Sequence, residues 1–412
     1  MFTSFSTALS ALNADSTAID VVGNNLANLN TTGFKNSEVS FSDLVTQSLG
    51  AGLGQTQVGF GVGNPLTQLQ FTQGAIQSTG APLDAAIQGG GFFVVTTASG
   101  ATQYTRAGNF QVDVNGNLTT ATGENVQGWT PVNGVLNANG PTTNINLPVG
   151  SLSPPTPTSN MSVDLNLNAA AAAGDTFSTS IQVYDSLGTS HVVSAIFTKS
   201  STANQWQYSL SFPTVDLTSP GKPLTGTLSF DSSGNLKSPA AASAAPVLAV
   251  TGLADGAADM NINWNLYNGA SPRITQYAQP SATSAQAQDG SPAANLTQIS
   301  LVNGGQILAQ YSNGSQLVVG QLAVASILNP QSLVSAGNNN FSLSANTALP
   351  AIGVPGTGGR GTVLGASLEA SNADIAREFT NLILFQRSYQ ANAKVVTTVD
   401  QLSQDTINLK TQ

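Results

Sequence analysis

The two ends of the chain share a hydrophobic pattern that the residues between them lack. The N-terminal repeat consists of Phe5, Leu12, Ile19 and Leu26, seven residues apart, with Leu9 beside it. The C-terminal repeat consists of Leu368, Ile375, Leu382, Tyr389 and Val396, with Phe379 on the same segment. A seven-residue repeat is typical of helices that pack against partner helices. The spacing therefore predicts helices over residues 1–29 and 368–410, and both need partners.

The residues between the two helices show short alternating patterns and turn signals, which predict β-structure. Residues 92–95 are continuously apolar and predict a buried strand, and the alternation from residue 110 ends at the hairpin turn Asn115-Gly116. A second β region is predicted from about 160 to 290, with strands at 181–184, 192–197, 206–212, 224–230 and 260–266. A third stretch, 297–364, resumes the strand pattern at 307–311 and 316–325.

Breaks in these patterns predict the domain boundaries. Residues 31–75 contain many glycines and few periodic features, so an extended Gly-rich connector is predicted there. The proline-rich segment 154–157 marks the start of an inserted domain. An insertion nested in one domain, itself nested between two helices, brings both chain ends together. The predicted fold is multidomain α+β, with terminal helices forming a coiled-coil core domain and two nested mainly-β domains. The predicted domains are 1–30 with 368–412 (helical), 31–75 (connector), 76–150 with 293–367 (first β domain) and 151–292 (inserted outer β domain).

Local signals predict where the helices end and begin. Asn and Gly residues at 28–33 favour the left-handed conformation that closes a helix. Ser371 and Asp374, just before Ile375, fit a capping box at the start of the last helix.

Charge and composition restrict the partners. Only 8% of the residues are charged and the net charge is −9, so nucleic acid and anionic membranes are poor partners. Weakly charged surfaces suit close packing of identical subunits. The chain has no cysteine, no apolar run long enough to span a membrane, and no basic and apolar segment of the signal-peptide type at its start. We therefore expect a protein that is cytosolic or exported without cleavage.

Candidate chemistry is sparse. His191 is the single histidine and lies in a predicted strand, where a surface or turn position is the expected one, and no second histidine is available to share a metal. Residues 113–117 resemble the start of a calcium loop but lack the distal glutamate, which favours a plain hairpin. No catalytic, cofactor-binding or metal site is predicted, and the chain is not expected to be an enzyme.

Four segments resemble the bacterial flagellar rod and hook family. They are 25–35 (NLANLNTTGFK), 82–93 (PLDAAIQGGGFF), 104–110 (YTRAGNF) and 386–394 (QRSYQANAK). The motif positions carried over are Asn25, Asn28, Gly33, Phe34, Gln386 and Arg387. Gly90 is a departure, since the family often has a polar residue there. The inserted domain of about 130 residues, which includes 183–188 (VYDSLG), is similar to the outer domain of the hook members and is lacking in distal rod members.

The resemblance implies a structural subunit of the flagellar hook. Such subunits polymerise with themselves into a curved, flexible tube that couples the rod to the filament and transmits torque as a universal joint. The implied partners are the flagellar rod, the hook cap, the hook–filament junction proteins and the type III export apparatus. The implied location is extracellular, at the hook and basal body, with export that cleaves no signal peptide.

The heptad residues are the expected polymerisation elements under this interpretation. They are Phe5, Leu9, Leu12, Ile19, Leu26, Ile375, Phe379, Leu382, Tyr389 and Val396. A free subunit offers them little to pack against, so we expect the ends to be disordered in the monomer and to fold on assembly. The alternative is an intramolecular helical hairpin that is stable in the monomer.

Three further hypotheses stay open at the level of sequence. A flexible connector predicts that replacing Gly52, Gly54 and Gly61 with Ala stiffens the joint. A distal rod subunit is one alternative function. An extracellular adhesin or glycan-binding protein is another, which requires Trp206, Tyr208 and Trp264 to line a groove instead of filling the core.

Overall fold

The computed structural model describes residues 2–44, 47–49, 56–132, 134–219 and 221–410. The described chain is mostly β-structure, with two long helices, α1 (Phe2–Ala27) and α2 (Ile375–Lys410). It divides into two compact units. The first unit comprises Met1–Val149, Gln298–Ala309 and Gln316–Gln412, and the second comprises Gly150–Thr297 and Gln310–Ser315. No helix among the described residues is both long and apolar enough to cross a membrane.

The strands follow one another closely along the chain. Those before residue 150 are β1 (Ser37–Ser40), β2 (Gln47–Leu49), β3 (Thr56–Val58), β4 (Leu66–Leu69), β5 (Ile76–Ser78), β6 (Ala85–Gln88), β7 (Phe92–Thr96), β8 (Thr102–Thr105), β9 (Phe110–Val112), β10 (Leu118–Thr120), β11 (Asn125–Trp129) and β12 (Thr143–Asn144). The next group is β13 (Leu152–Ser153), β14 (Asn160–Asn168), β15 (Thr176–Tyr184), β16 (Ser190–Lys199), β17 (Gln205–Ser211), β18 (Leu224–Phe230), β19 (Leu236–Ser238), β20 (Val247–Val250), β21 (Met260–Trp264), β22 (Tyr267–Asn268), β23 (Ser271–Pro272), β24 (Ile274–Tyr277) and β25 (Ala282–Gln288). The last group is β26 (Ala294–Leu301), β27 (Gln306–Tyr311), β28 (Gln316–Leu322), β29 (Val324–Ser326), β30 (Val334–Gly337), β31 (Asn340–Ser342), β32 (Ala351–Gly353), β33 (Thr362–Gly365) and β34 (Ser367–Glu369).

The Gly-rich segment after α1 forms paired strands where it is described. β1 pairs antiparallel with β4, in a register that sets Ser37 opposite Leu69. β2 pairs antiparallel with β3, in a register that sets Gln47 opposite Val58. We call these four strands the ribbon. Each of its strands pairs with one partner strand, so the described part of the segment is not an unpaired linker.

The first unit builds its core around a central strand. The apolar run predicted at 92–95 is β7, whose residues Phe92–Val95 are all buried. β7 pairs antiparallel with β8, β11 and β29. Because successive side chains of a strand point to opposite faces, Phe93 packs edge-on against Phe110 on one face while Phe92 packs against Phe71 on the other. β7 therefore has a core on each side.

The predicted hairpin at Asn115-Gly116 is confirmed. β9 and β10 pair antiparallel on either side of it. The Asp113 carboxylate Oδ1 accepts hydrogen bonds from the backbone N–H groups of Asn115 (2.8 Å) and Asn117 (2.7 Å). The carboxylate thus closes an Asx turn. Residues 113–117 form a plain hairpin turn, as the sequence favoured.

The second unit contains two sheets that share one core. One sheet has the order β15-β16-β17-β18-β19, and the other has the order β20-β21-β14-β24 with β25 paired to β14. The strands predicted at 181–184, 192–197, 206–212, 224–230 and 260–266 lie in β15, β16, β17, β18 and β21. Trp206, Tyr208 and Trp264 are buried in the shared core, and the rings of Tyr208 and Trp264 meet edge-on at 4.9 Å. These aromatics fill the core, so the adhesin hypothesis loses the exposed groove that it requires.

The expectation for His191 was wrong. The sequence favoured a surface or turn position, but the residue lies in β16 with only 4% of its surface exposed. Both ring nitrogens face carboxylates, Nδ1 at 2.8 Å from Asp216 Oδ2 and Nε2 at 2.9 Å from Asp185 Oδ2. Burial acts to lower the pKa of His191, but the hydrogen bonds and the negative charges of Asp216 and Asp185 together outweigh it, and the net shift is upward. A buried polar side chain is tolerated here because it is fully hydrogen-bonded.

Candidate assembly surface of the terminal helices

The two terminal helices pack against each other in antiparallel orientation. The Asp15 carboxylate Oδ2 accepts hydrogen bonds from Ser388 Oγ (2.9 Å) and Asn392 Nδ2 (3.0 Å). Near the other end of α1, Asn25 Nδ2 donates to Glu378 Oε1 (3.2 Å). Residues near the C-terminal end of α1 therefore contact residues near the N-terminal end of α2, and residues earlier in α1 contact residues later in α2. Because these buried polar groups can be satisfied in one alignment only, they fix the register of the pair.

The buried face of α1 is made of small and polar residues. Its buried positions are Ala8, Ala14, Asp15, Ala18, Val22 and Asn25. Ala8, Asp15 and Val22 lie seven residues apart, as do Ala18 and Asn25, which is the spacing of a helix–helix seam. Small side chains let two helix backbones approach closely but bury little apolar area.

The predicted polymerisation residues of α1 lie beside this seam. Phe5 and Leu9 are exposed, at 40% and 46%, although both are large and apolar. Leu12, Ile19 and Leu26 are half-buried. The heptad of large residues that the sequence shows is thus displaced from the seam, and contact with α2 leaves much of its apolar surface open to solvent.

The predicted residues of α2 show the same partial exposure. Ile375, Phe379 and Tyr389 are exposed, while Leu382 and Val396 are half-buried. Val395 and Leu402, to which the C-terminal hydrophobic stripe shifts along the sequence, are exposed as well. The sequence pattern did not indicate three further exposed apolar residues on this helix, which are Ile383, Leu384 and Ile407. A heptad search passes over several of them because they fall between the repeat positions. We call the exposed apolar residues of both helices the open helical face.

The start of α2 differs from the prediction. Leu368, the first residue of the predicted repeat, lies in β34, which pairs antiparallel with β5 and sets Leu368 opposite Gln77. The helix begins at Ile375, and its N-cap is Asp374, whose Oδ1 accepts a hydrogen bond from Arg377 N at 2.9 Å. Ser371 Oγ instead accepts from Ala373 N in the preceding loop. The strand pairing of residues 367–369 prevails over the heptad pattern there.

The end of α1 agrees with its prediction, and it is formed by residues of the family motif at 25–35. The helix ends at Ala27, just before the predicted 28–33 segment. Asn28 Oδ1 accepts a hydrogen bond from Thr31 Oγ1 (3.0 Å). Gly33 has φ +67°, and a Cβ there would lie 2.5 Å from the backbone carbon of Arg106. Only glycine fits this conformation and this close approach.

Two other motif residues join the helix end to its surroundings. Asn25 is buried, and its amide bonds the backbone of Ser37 in both directions, accepting from N at 3.0 Å and donating to O at 2.8 Å. Phe34 is half-buried, and its carbonyl accepts from Asn372 N at 3.3 Å. The motif thus ties α1 to β1 and to the segment before α2.

A buried charge cluster lies at this junction. The Glu369 carboxylate accepts from Lys35 Nζ (2.6 Å) through Oε1 and from Arg106 Nη1 (3.0 Å) through Oε2. Lys35 Nζ also donates to the Thr72 carbonyl, and Gly74 N donates to Glu369 Oε1. Burial lowers the pKa of Lys35 and of Arg106, while the charge of Glu369 opposes both shifts. The cluster joins the segments that enter and leave the terminal helices.

The C-terminal family motif, residues 386–394, lies on α2. Gln386 and Arg387 are both exposed, while Ser388 and Asn392 of the same motif turn toward Asp15. The motif therefore serves two sides of the helix, one that faces α1 and one that faces outward.

β1 of the ribbon and residues next to its strands pack on the helix pair. Phe41 meets Phe385 edge-on, with ring centroids 6.0 Å apart, and Arg377 Nη2 lies 3.1 Å from Glu38 Oε1. Gly52 and Gly54, named in the flexibility hypothesis, lie outside the described residues. Gly61 has φ +102°, and a Cβ there would come within 2.3 Å of Ser10 Oγ on α1. An alanine at position 61 would therefore disturb the packing on α1 as well as stiffen the chain.

The sequence matches four family models, and the matched segments extend from residue 5 to residue 409. They are "Flagella basal body rod protein" over residues 5–35, "Flagellar hook protein FlgE/F/G D1 domain" over 86–166, "Flagellar basal body protein FlaE D2 domain" over 146–291 and "Flagellar basal body rod FlgEFG protein C-terminal" over 365–409.

Individual proteins show the same similarity over their full lengths. The chain is 33% identical to the flagellar hook protein FlgE of Treponema pallidum (strain Nichols), with all of both chains covered. It is 32% identical to FlgE of Escherichia coli (strain K12), with 98% of this chain and 100% of the relative covered. The fold also resembles the crystal structure of Helicobacter pylori flagellar hook protein FlgE2, with a TM-score of 0.50 at 15% identity over 68% of this chain and 98% of that one.

Proposed function

The chain belongs to the flagellar hook protein family and is a structural subunit of the bacterial flagellar hook; from this premise we propose that its terminal helices are the elements through which it polymerises. The polymer is a curved, flexible tube that couples the rod to the filament and transmits torque as a universal joint. Helices from many subunits form the coiled-coil core of this tube, and the β units, with the second nested in the first, form its outer layers.

The observation that carries this proposal is the open helical face. Phe5 and Leu9 on α1, and Ile375 and Phe379 on α2, each expose at least two-fifths of their surface. Large apolar residues arrayed along both helices of a pair mark an interaction surface. A second copy of the chain carries the same residues on the same helices, so packing between copies buries apolar surface on both sides.

A single substitution on this face tests the proposal. Phe379 is 50% exposed. Burying the rest of its ring against another subunit should contribute about 1 to 1.5 kcal/mol to the free energy of association. Phe379→Ala should therefore raise the critical concentration for polymerisation roughly tenfold. Alanine is also the better helix former, so weaker assembly cannot be assigned to a weaker helix. Sedimentation of full-length chain over a concentration series measures the effect.

Val215→Ala is the control, because Val215 is also apolar and is 86% exposed but lies in the second unit. It should assemble like the unmodified chain. Equal assembly by Phe379→Ala, or an equal defect in Val215→Ala, would remove the open helical face as the polymerisation surface. Negative-stain images of the tubes address the neighbouring function, since straight tubes would favour a distal rod subunit and curved tubes a hook.

The same family membership supports the finer assignments of partner and location. We propose that the subunit contacts the flagellar rod, the hook cap and the hook–filament junction proteins, and that the type III export apparatus carries it out of the cell without cleavage. Intact mass measurement on subunits from sheared hooks tests the last point. The mass should match the 41.8 kDa chain, and a product shortened at its N-terminus would contradict export without cleavage.

A further inference from the structure

A cluster of one histidine and three aspartates lies in the second unit, where the hook function gives it no role. Asp185 follows β15, and His191 lies in β16 on the other side of the same turn. Asp216 ends the short 3₁₀ turn Thr214–Asp216, and Asp255 lies in the loop between β20 and β21. Asp185 and His191 are buried, whereas Asp255 is exposed.

Three potential ligand atoms of this cluster lie close together. One side-chain oxygen each from Asp185 and Asp255 and one ring nitrogen of His191 all lie within 4.8 Å of one another. Nε2 of His191 is 2.9 Å from Asp185 Oδ2. Two atoms bound to one metal ion at about 2.0–2.1 Å lie roughly 2.9–3.4 Å apart when they subtend 90° to 110° at the ion. The observed spacing therefore suits two ligands of one ion.

The fourth residue orients the histidine. Asp216 Oδ2 lies 2.8 Å from Nδ1 of His191, so it can accept the Nδ1–H proton and leave Nε2 as the ring atom that faces Asp185 and Asp255. A carboxylate that holds the second nitrogen of a histidine is the usual support of a metal-bound imidazole.

The surrounding backbone holds the ligands in place. Asp185 Oδ1 is occupied by the N–H groups of Leu187 (2.8 Å) and Thr189 (2.9 Å), which leaves Oδ2 for the cluster. Ala258 N donates to Ser186 Oγ at 2.9 Å, and this bond ties the loop that carries Asp255 to the turn that carries Asp185. The exposed side of Asp255 provides an entry path for an ion.

We propose that Asp185, His191 and Asp255 form a binding site for a divalent transition-metal cation of the zinc class, with Asp216 as the positioning residue. One nitrogen and two carboxylate oxygens suit such an ion, whereas calcium and magnesium prefer oxygen ligands alone. Binding forms a bond from Nε2 to the ion and releases to solvent the proton that Nε2 otherwise shares with Asp185. The bound ion cross-links the β15–β16 turn to the loop after β20.

The composition of the chain makes the test unambiguous. It has no cysteine and a single histidine, so stoichiometric zinc binding through an imidazole nitrogen has to involve His191. Calorimetric titration of the full-length monomer with Zn²⁺ should give one site, and the ring-proton resonances of His191 should shift as that site fills. His191→Gln and Asp255→Asn should each abolish the site, and Asp216→Asn should weaken it about 10- to 100-fold.

Asp231→Asn is the matched control, because Asp231 closes a turn in the same unit with the same backbone hydrogen bonds as Asp185 but has no histidine beside it. It should bind Zn²⁺ like the unmodified chain. Absence of a one-to-one site, or unchanged binding by His191→Gln, would overturn the proposal. In that case the cluster is a protonated histidine hydrogen-bonded between two carboxylates, and the chemical shifts of the His191 ring protons do not change when Zn²⁺ is added.

Discussion

Single residues at the junction of helices and β-structure have roles that depend on close backbone approach. Gly33 shows this most directly, because its left-handed conformation and the neighbouring Arg106 backbone both exclude a side chain. The asparagines of the same motif, Asn25 and Asn28, act through hydrogen bonds to backbone and to Thr31. The family motif at 25–35 is therefore a set of structural requirements at the place where α1 ends.

Gly33→Ala should destabilise the first unit by about 2 to 4 kcal/mol, through both the strained conformation and the clash. Gly80 separates the two effects, since it has φ +72° but nothing within 4 Å of an added Cβ. Gly80→Ala should cost only about 1 kcal/mol. Denaturant unfolding followed through amide exchange of first-unit peptides measures both, and equal losses would show that the contact with Arg106 is unimportant.

Glu369→Gln should cost about 3 to 5 kcal/mol, because it leaves the ammonium of Lys35 and the guanidinium of Arg106 buried without their counter-charge. Glu38→Gln removes a comparable charge from the exposed pair with Arg377 and should cost less than about 1 kcal/mol. The same exchange measurement compares them. A loss at Glu369 no larger than that at Glu38 would mean that the buried cluster contributes no more than a surface ion pair.

At the scale of elements, the helix pair is specified by polar contacts more than by apolar area. Half of the buried positions of α1 are alanine, and Asp15 and Asn25 are its two polar positions. Asp15 is bonded to two residues of α2 one turn apart, so it fixes how far one helix slides along the other. The large apolar residues remain available for contacts outside the pair.

Asp15→Ala should weaken the helix pair by about 1 to 3 kcal/mol, because Ser388 and Asn392 lose a charged acceptor. Asp20→Ala on the exposed side of α1 is the control and should have little effect. Amide exchange along α1, measured in assembled tubes where the helices are expected to be protected, reports the difference. If both variants exchange alike, Asp15 does not set the stability of the pair.

At the scale of the whole molecule, the β units and the terminal helices differ in what they bury. The cores of both units consist mainly of large apolar side chains at 0 to 9% exposure, whereas α1 buries three alanines and a valine besides its polar positions. Ordering the backbone of each residue costs about 1 to 2 kcal/mol in conformational entropy. The small apolar area that α1 buries offsets this cost poorly. This contrast supports the hypothesis that the helices gain their full stability only in the polymer.

Amide exchange on the free subunit and on assembled tubes tests that hypothesis. In the free subunit, α1 and α2 should exchange within seconds while β7 and β16 stay protected, and in tubes all four should be protected. Protection of the helices in the free subunit equal to that of the strands would favour the alternative, a helical hairpin that is stable by itself.

The sequence by itself determined the features that depend on local periodicity. The seven-residue repeats predicted both helices, the apolar run at 92–95 predicted β7, and the turn residues predicted the β9–β10 hairpin. Alternation and turn chemistry are readable because they involve residues close along the chain. The motifs also indicated the family, since their residues satisfy requirements of backbone geometry such as that of Gly33.

Only the tertiary structure decided which distant residues meet. Lys35 and Glu369 are 334 positions apart, and His191 lies 25 positions from Asp216, so no local pattern signals either pair. The same reason explains why Leu368 is in a strand and why Ala18, not Ile19, lies in the seam. Hydrophobic periodicity tells which face of an element is apolar, but the path of the chain selects which face is covered and which buried charges find partners.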